Sequence, residues 1–111
     1  MMSFFNGWQE FATEGASVSF YKKDDFIGFD SRKCMPPEPM VNAMVALNLV
    51  KDKNTKIIMI NHKFPVGLIP KIEDKFDIER EDLENGEVKL IFTLKQNASL
   101  PNFETKQICH G

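Results

Sequence analysis

The sequence predicts an α+β domain: a two-layer α/β sandwich in the order βαβαββ, with two helices on one face of a four-stranded mixed sheet. Three stretches carry this expectation. "TKIIMI" (55–60) is a short apolar run rich in β-branched residues, as suits a central buried strand. "PPEPMVNAMVALNLV" (36–50) is an apolar helical pattern whose beginning is crowded with prolines. "LENGEVKLIFTL" (83–94) sets Asn85-Gly86, the strongest short hairpin signal, before an alternating strand.

The bulk properties fit one small domain. The chain has 111 residues, of which 42% are hydrophobic and 27% charged, enough for a core and unlike a disordered composition. A net charge of -2 argues against a nucleic-acid partner, because phosphate backbones demand an excess of Lys and Arg on one surface. Two cysteines, Cys34 and Cys109, are too few for a disulfide scaffold. No charged-then-apolar leader and no membrane-length apolar run occur, so a cytoplasmic protein without a membrane partner is expected.

The organisation expected along the chain is an N-terminal extension (1–24), a domain (25–95) and a C-terminal tail (96–111). In the extension, Phe4, Trp8 and Phe11 share one face of a helix that Gly15 would stop. These aromatics either dock on the domain or form an exposed patch for a partner or a second copy of the chain. "ASVSFYKK" is a short strand or an extended linker, and "FIGF" (26–29) a buried strand ended by Asp30. Proline is tolerated only in the first helical turn, so Pro36, Pro37 and Pro39 mark the start of a helix reaching about Val50. Met40, Met44 and Leu47 form one row on it, and Val41 and Val45 its neighbour. After the strand at 55–60, "NHKFPVG" is a loop. "LIPKIEDKF" is a short second helix directing Leu68, Ile69 and Ile72 at the core. The closing hairpin buries Val88, Leu90, Phe92 and Leu94 on one face and leaves the other mostly solvated. The strands flanking the first helix should run parallel.

Taken together, "FDSRKCMPPEPM" and "IPKIEDKF" ahead of a closing hairpin resemble the TusA/SirA-like superfamily of small sulfur-relay proteins, over about residues 25–95. In that family a strand ending in Asp leads to a Cys-Pro-x-Pro motif that opens the first helix, and the cysteine carries a persulfide. Pro37-Glu38-Pro39 matches Pro-x-Pro, Asp30 the acidic residue, and Ile69-Pro70 an Ile-Pro in the second helix. Pro36 stands where the family has its cysteine. The pattern is more similar to an uncharacterised branch that carries proline there and a His in the next loop, here His62. Members of that branch occur alone or fused to haemerythrin-like or other metal- and redox-linked modules, with no established activity. The resemblance implies that persulfide transfer by the usual route is absent.

Function in open α/β sheets gathers beyond the carboxyl ends of parallel strands. Asp30, Arg32, Cys34, Pro36, Pro37, Glu38 and Pro39 in the first loop should therefore neighbour Asn61, His62 and Lys63 in the second. Cys34 reads as a buried structural thiol, since free cysteine is among the most buried residue types and the resemblance aligns it with an apolar position. It also reads as a reactive thiol, because Arg32 and Lys33 are cations close in sequence. His62 reads as a metal or proton-transfer ligand, or as a loop histidine bonded to nearby backbone. Cys109-His110 is a weak metal pair. No catalytic motif spans the chain, and "EREDLE" is a solvated face. The expected function is a non-catalytic accessory or regulatory domain that binds a protein partner or small ligand at the proline-loop edge, with no cofactor. Alternatives are a sulfur-relay or redox protein using Cys34 and a metal- or haem-associated regulator using His62.

Overall fold

The computed structural model describes residues 4–103. Its single mixed sheet has six strands in the order β1-β2-β3-β4-β6-β5: β1 (Gln9–Phe11), β2 (Phe20–Lys23), β3 (Phe26–Asp30), β4 (Lys56–Asn61), β5 (Phe76–Asp82) and β6 (Val88–Leu94). Helix α1 (Glu38–Leu47) joins β3 to β4, and the single-turn α2 (Ile69–Ile72) precedes β5. β3 and β4 are parallel and every other pair is antiparallel.

The α+β class and the βαβαββ portion from residue 26 onward agree with the sequence. The four-stranded count falls short, because β1 and β2 come from the segment expected to be an extension. The helix expected at Phe4–Phe11 is a turn followed by a strand. Its aromatics serve opposite faces of the sheet, which a helical stripe cannot do: Phe11 packs toward the helical layer and Phe5 lies on the other side. β2 and β3 form a hairpin through Asp24-Asp25, with Asp24 at φ 55°. Aspartate tolerates this left-handed turn position, though it signals it less strongly than Asn-Gly. At the β5–β6 hairpin, Asn85 (φ 62°) and Gly86 (φ 79°) both take the positive φ their types allow.

The main core lies between the sheet and the helices. Phe20, Phe29, Ile57, Met59, Phe92 and Leu90 meet Met44, Leu47, Leu68 and Ile72, all buried. α1 starts at Glu38 with Pro37 as its N-cap, and the Pro36–Pro37 bond is cis. The residues after β6 return to α1, where the Asn48 side chain receives the Phe103 N–H (2.7 Å) and donates to its carbonyl (3.0 Å).

The second face is not simply solvated. Ile58 and Ile60 are buried under Phe5, so β4 is covered on both sides. Phe5 stacks on Tyr21 with ring centroids 5.1 Å apart and takes Trp8 edge-on at 5.1 Å. Gly28 makes this possible: a Cβ there would run into the Phe5 ring. A bare backbone in mid-strand, weak by itself, is covered by an aromatic from outside the strand. The outer edge strand β5 is mostly exposed and carries Asp77, Glu79, Glu81 and Asp82.

Gly28→Ala is expected to cost about 1–3 kcal/mol by overpacking, and Phe5→Ala about 3–5 kcal/mol by loss of a buried ring. The double variant should lose less than the sum of the two in urea denaturation, because both changes break the same contact. Strict additivity would contradict this packing.

Candidate functional site

The carboxyl ends of β3 and β4 are tied together by buried polar groups. The Ser31 N–H donates to the Ile60 carbonyl (2.7 Å), and its hydroxyl lies 3.0 Å from that carbonyl and 2.9 Å from Asn61 Oδ1. Asn61 in turn donates through Nδ2 to the Lys63 carbonyl (2.9 Å). Ser31 and Asn61 are both buried, so each unmade bond would carry a full desolvation cost. This link fixes the distance between the two loops that leave the sheet here.

Between those loops runs an open groove of about 290 Å³. One wall is Pro36, Pro37, Pro39 and Met40 at the start of α1, and the other is the 61–68 loop. Of the residues that the sequence singles out, Pro36, Pro37, Pro39, Asn61, His62 and Lys63 line it. Phe64, Pro65, Val66, Leu68 and Met40 line it too and were not foreseen. Their signal was the "FPVGL" run, an apolar stretch in a loop, with Val66 73% exposed. Phe64 is braced from outside by the Arg80 guanidinium, 4.5 Å from its ring centroid. Gly67 leaves room for Met40, whose Cε would sit 3.2 Å from a Cβ at that position. The His62 ring is half-buried, and its Nδ1 is fully buried with no hydrogen-bond partner among the described residues. The loop histidine bonded to nearby backbone is therefore not what the structure has at that nitrogen.

The other expected site residues are not in the groove. Asp30 and Arg32 turn to the opposite face of the sheet, following the alternation of β3. Arg32 grips Asp30 through Nε (3.0 and 3.1 Å) and Nη2 (2.7 Å), reaches Glu87 through Nη1 (3.3 Å), and lies over the Phe4 ring at 5.1 Å. The hydrogen bonds that Arg32 donates to the Asp30 carboxylate raise its pKa above the ordinary value. Its guanidinium is thereby held on that face, turned away from the thiol that the reactive reading of Cys34 would have it activate.

Cys34 lies behind the proline turn, outside the groove lining. Asn42, a buried residue of α1, places Nδ2 3.8 Å from Sγ while bonding Ser17 through both ends of its amide (2.8 and 3.0 Å). Ser17 also contacts Glu38 Oε1 at 3.4 Å. Burial pushes the Cys34 thiol up, and the Glu38 charge pushes it the same way. Such a thiol is a poor nucleophile at neutral pH. Cys109 and His110 lie outside the described residues. Among the described residues, no cluster of three or more His, Cys, Asp and Glu side chains could hold a metal ion, and no helix is long and apolar enough to cross a membrane.

A further hollow of about 330 Å³ lies at the far end of α1, bordered by Phe11, Lys22, Ile27, Leu49 and Lys51. Asp24, Asp25 and Asp52 crowd the adjoining depression, so the lysines there have acidic neighbours in reach.

Iodoacetamide should label Cys34 at pH 7 several-fold more slowly than it labels free glutathione. The rate should keep rising with pH beyond the range in which an ordinary thiol has fully ionised, because the raised pKa delays thiolate formation. A rate at pH 7 equal to or above that of glutathione would refute the assignment.

No family model matches the chain, and no curated protein or solved structure matches it.

Proposed function

We propose that this protein is a non-catalytic binding module that takes a partner or small ligand in the groove between the proline turn and the 61–68 loop. The groove carries this reading. It lies beyond the carboxyl ends of the parallel strands β3 and β4, where open α/β sheets bind their ligands. Its walls are mostly apolar with a few polar groups, Asn61, His62 and Lys63, the usual composition of a recognition site. The buried Ser31–Asn61 link ties together the two loops that form its walls.

The similarity of "PPEPM" and "NHKFP" to the uncharacterised TusA-like branch supports the same reading, since both segments of that pattern form walls of the groove. The alternative of sulfur relay through Cys34 loses ground, because the thiol has a raised pKa and stands outside the groove.

Fragment-based NMR tests the proposal. Amide spectra of the labelled chain, recorded with a library of small apolar fragments, should shift mainly at Glu38, Met40 and the non-proline residues of 61–68. Val66→Asp, a change at an exposed wall position, should abolish those shifts while leaving the remaining spectrum intact. Hits that gather elsewhere, or survive Val66→Asp, would overturn it.

A further inference from the structure

We infer that the groove takes a small apolar carboxylic acid, its hydrocarbon part against the proline and Phe64 walls and its carboxylate at His62. This rests on the groove's being the binding site and adds the chemical class of the ligand. Three observations on the groove support it.

The first is the state of His62. Nδ1 is enclosed by protein without a partner among the described residues. Leaving a buried N–H without an acceptor costs more than leaving a buried lone pair empty. In the neutral ring the proton therefore belongs on Nε2. Nδ1 is enclosed and the half-buried ring lines the groove, so what the ring offers a ligand is the Nε2 donor. A donor selects an acceptor.

The second is charge. Acidic residues outnumber basic ones in the whole chain, 16 to 14. Among the residues that line the groove there is no Asp or Glu, and one cation, Lys63. The nearest acid in sequence, Glu38, is engaged with Ser17. An anion in this groove meets attraction from Lys63 and no carboxylate on its walls.

The third is the start of α1. Of its first four residues, Glu38 donates its N–H to the Met35 carbonyl (2.9 Å), Pro39 has none, and Val41 donates to the Pro37 carbonyl (3.1 Å). Met40, which lines the groove, has an N–H without an acceptor among the described residues. That donor sits at the positive end of a ten-residue helix. The prolines thus leave one orphan amide, and it belongs to a groove residue. The apolar remainder of the lining then demands a hydrocarbon body on the acid, since a small hydrophilic anion would leave Pro36, Phe64 and Val66 uncovered.

The test titrates the labelled full chain with 4-methylpentanoate and, separately, with its primary amide, which matches it in shape and lacks the charge. The acid should shift the amides of Met40 and residues 61–68 and bind about tenfold more tightly than the amide, the difference expected for a charge-assisted hydrogen bond. His62→Ala should lose about that factor, and His62→Gln, which restores an N–H near the Nε2 position, should recover most of it. Nitrogen spectra of the free protein should find the His62 ring protonated at Nε2 in its neutral form. Equal binding of acid and amide in the groove would overturn the carboxylate assignment while leaving a binding groove. So would a neutral ring protonated at Nδ1. Absence of shifts with both ligands and with apolar fragments would remove the groove itself as a site.

Discussion

The parallel pairing of β3 with β4 is the constraint on which the rest of this molecule depends. Parallel strands need a crossover, and α1 supplies it, so one helix is committed to one face of the sheet. The crossover brings the exits of both strands to the same edge, and the bonds from Ser31 to Ile60 and Asn61 lock them there. Because β4 is central, both of its faces must be covered. The helical layer covers Ile57 and Met59, and Phe5 covers Ile58 and Ile60 from the other side. The N-terminal strands follow from this requirement. They widen the sheet and carry the aromatic that closes the second face.

Much of this was legible in the sequence, and the gaps have physical causes. The helix start could be read from Pro36, Pro37 and Pro39 because proline's restrictions are local. The last hairpin could be read from Asn85-Gly86 for the same reason. β1 was obscured because Phe4, Trp8 and Phe11 fit a helical spacing, and nothing local reveals that Phe5 has a seat on Gly28, 23 positions along the chain. The Asp24-Asp25 turn carried a weaker signal than Asn-Gly, so the first hairpin stayed ambiguous. Tertiary pairing overrode local pattern at the N-terminus and agreed with it elsewhere.

The candidate site was legible as a place but not as a surface. Strand order correctly brought the proline turn beside His62 and Lys63. It could not tell which side of the sheet each loop residue takes. Asp30 keeps the alternation of β3 and faces away from the helices, carrying Arg32 with it into an ion pair with Glu87 on the last hairpin. Cys34 stays behind the turn against Asn42. One segment of nine residues, 30–38, from the end of β3 to the start of α1, thus serves a salt-bridge cluster, a half-buried thiol and a groove wall. Only the last of these was joined by apolar residues that charge and motif reasoning had passed over.

The acidic edge of the sheet has a consequence for how the molecule behaves in company. Among the described residues no strand pairs with the outer side of the seven-residue β5, which leaves a template for pairing with another such strand. Two copies meeting there would set Asp77, Glu79, Glu81 and Asp82 against their counterparts. The protection is long-range repulsion rather than a steric block, and it therefore weakens as the Debye length shrinks with added salt. Colloidal behaviour and fold are coupled at this strand: charges that contribute little to the core oppose pairing of the exposed edge with a second copy.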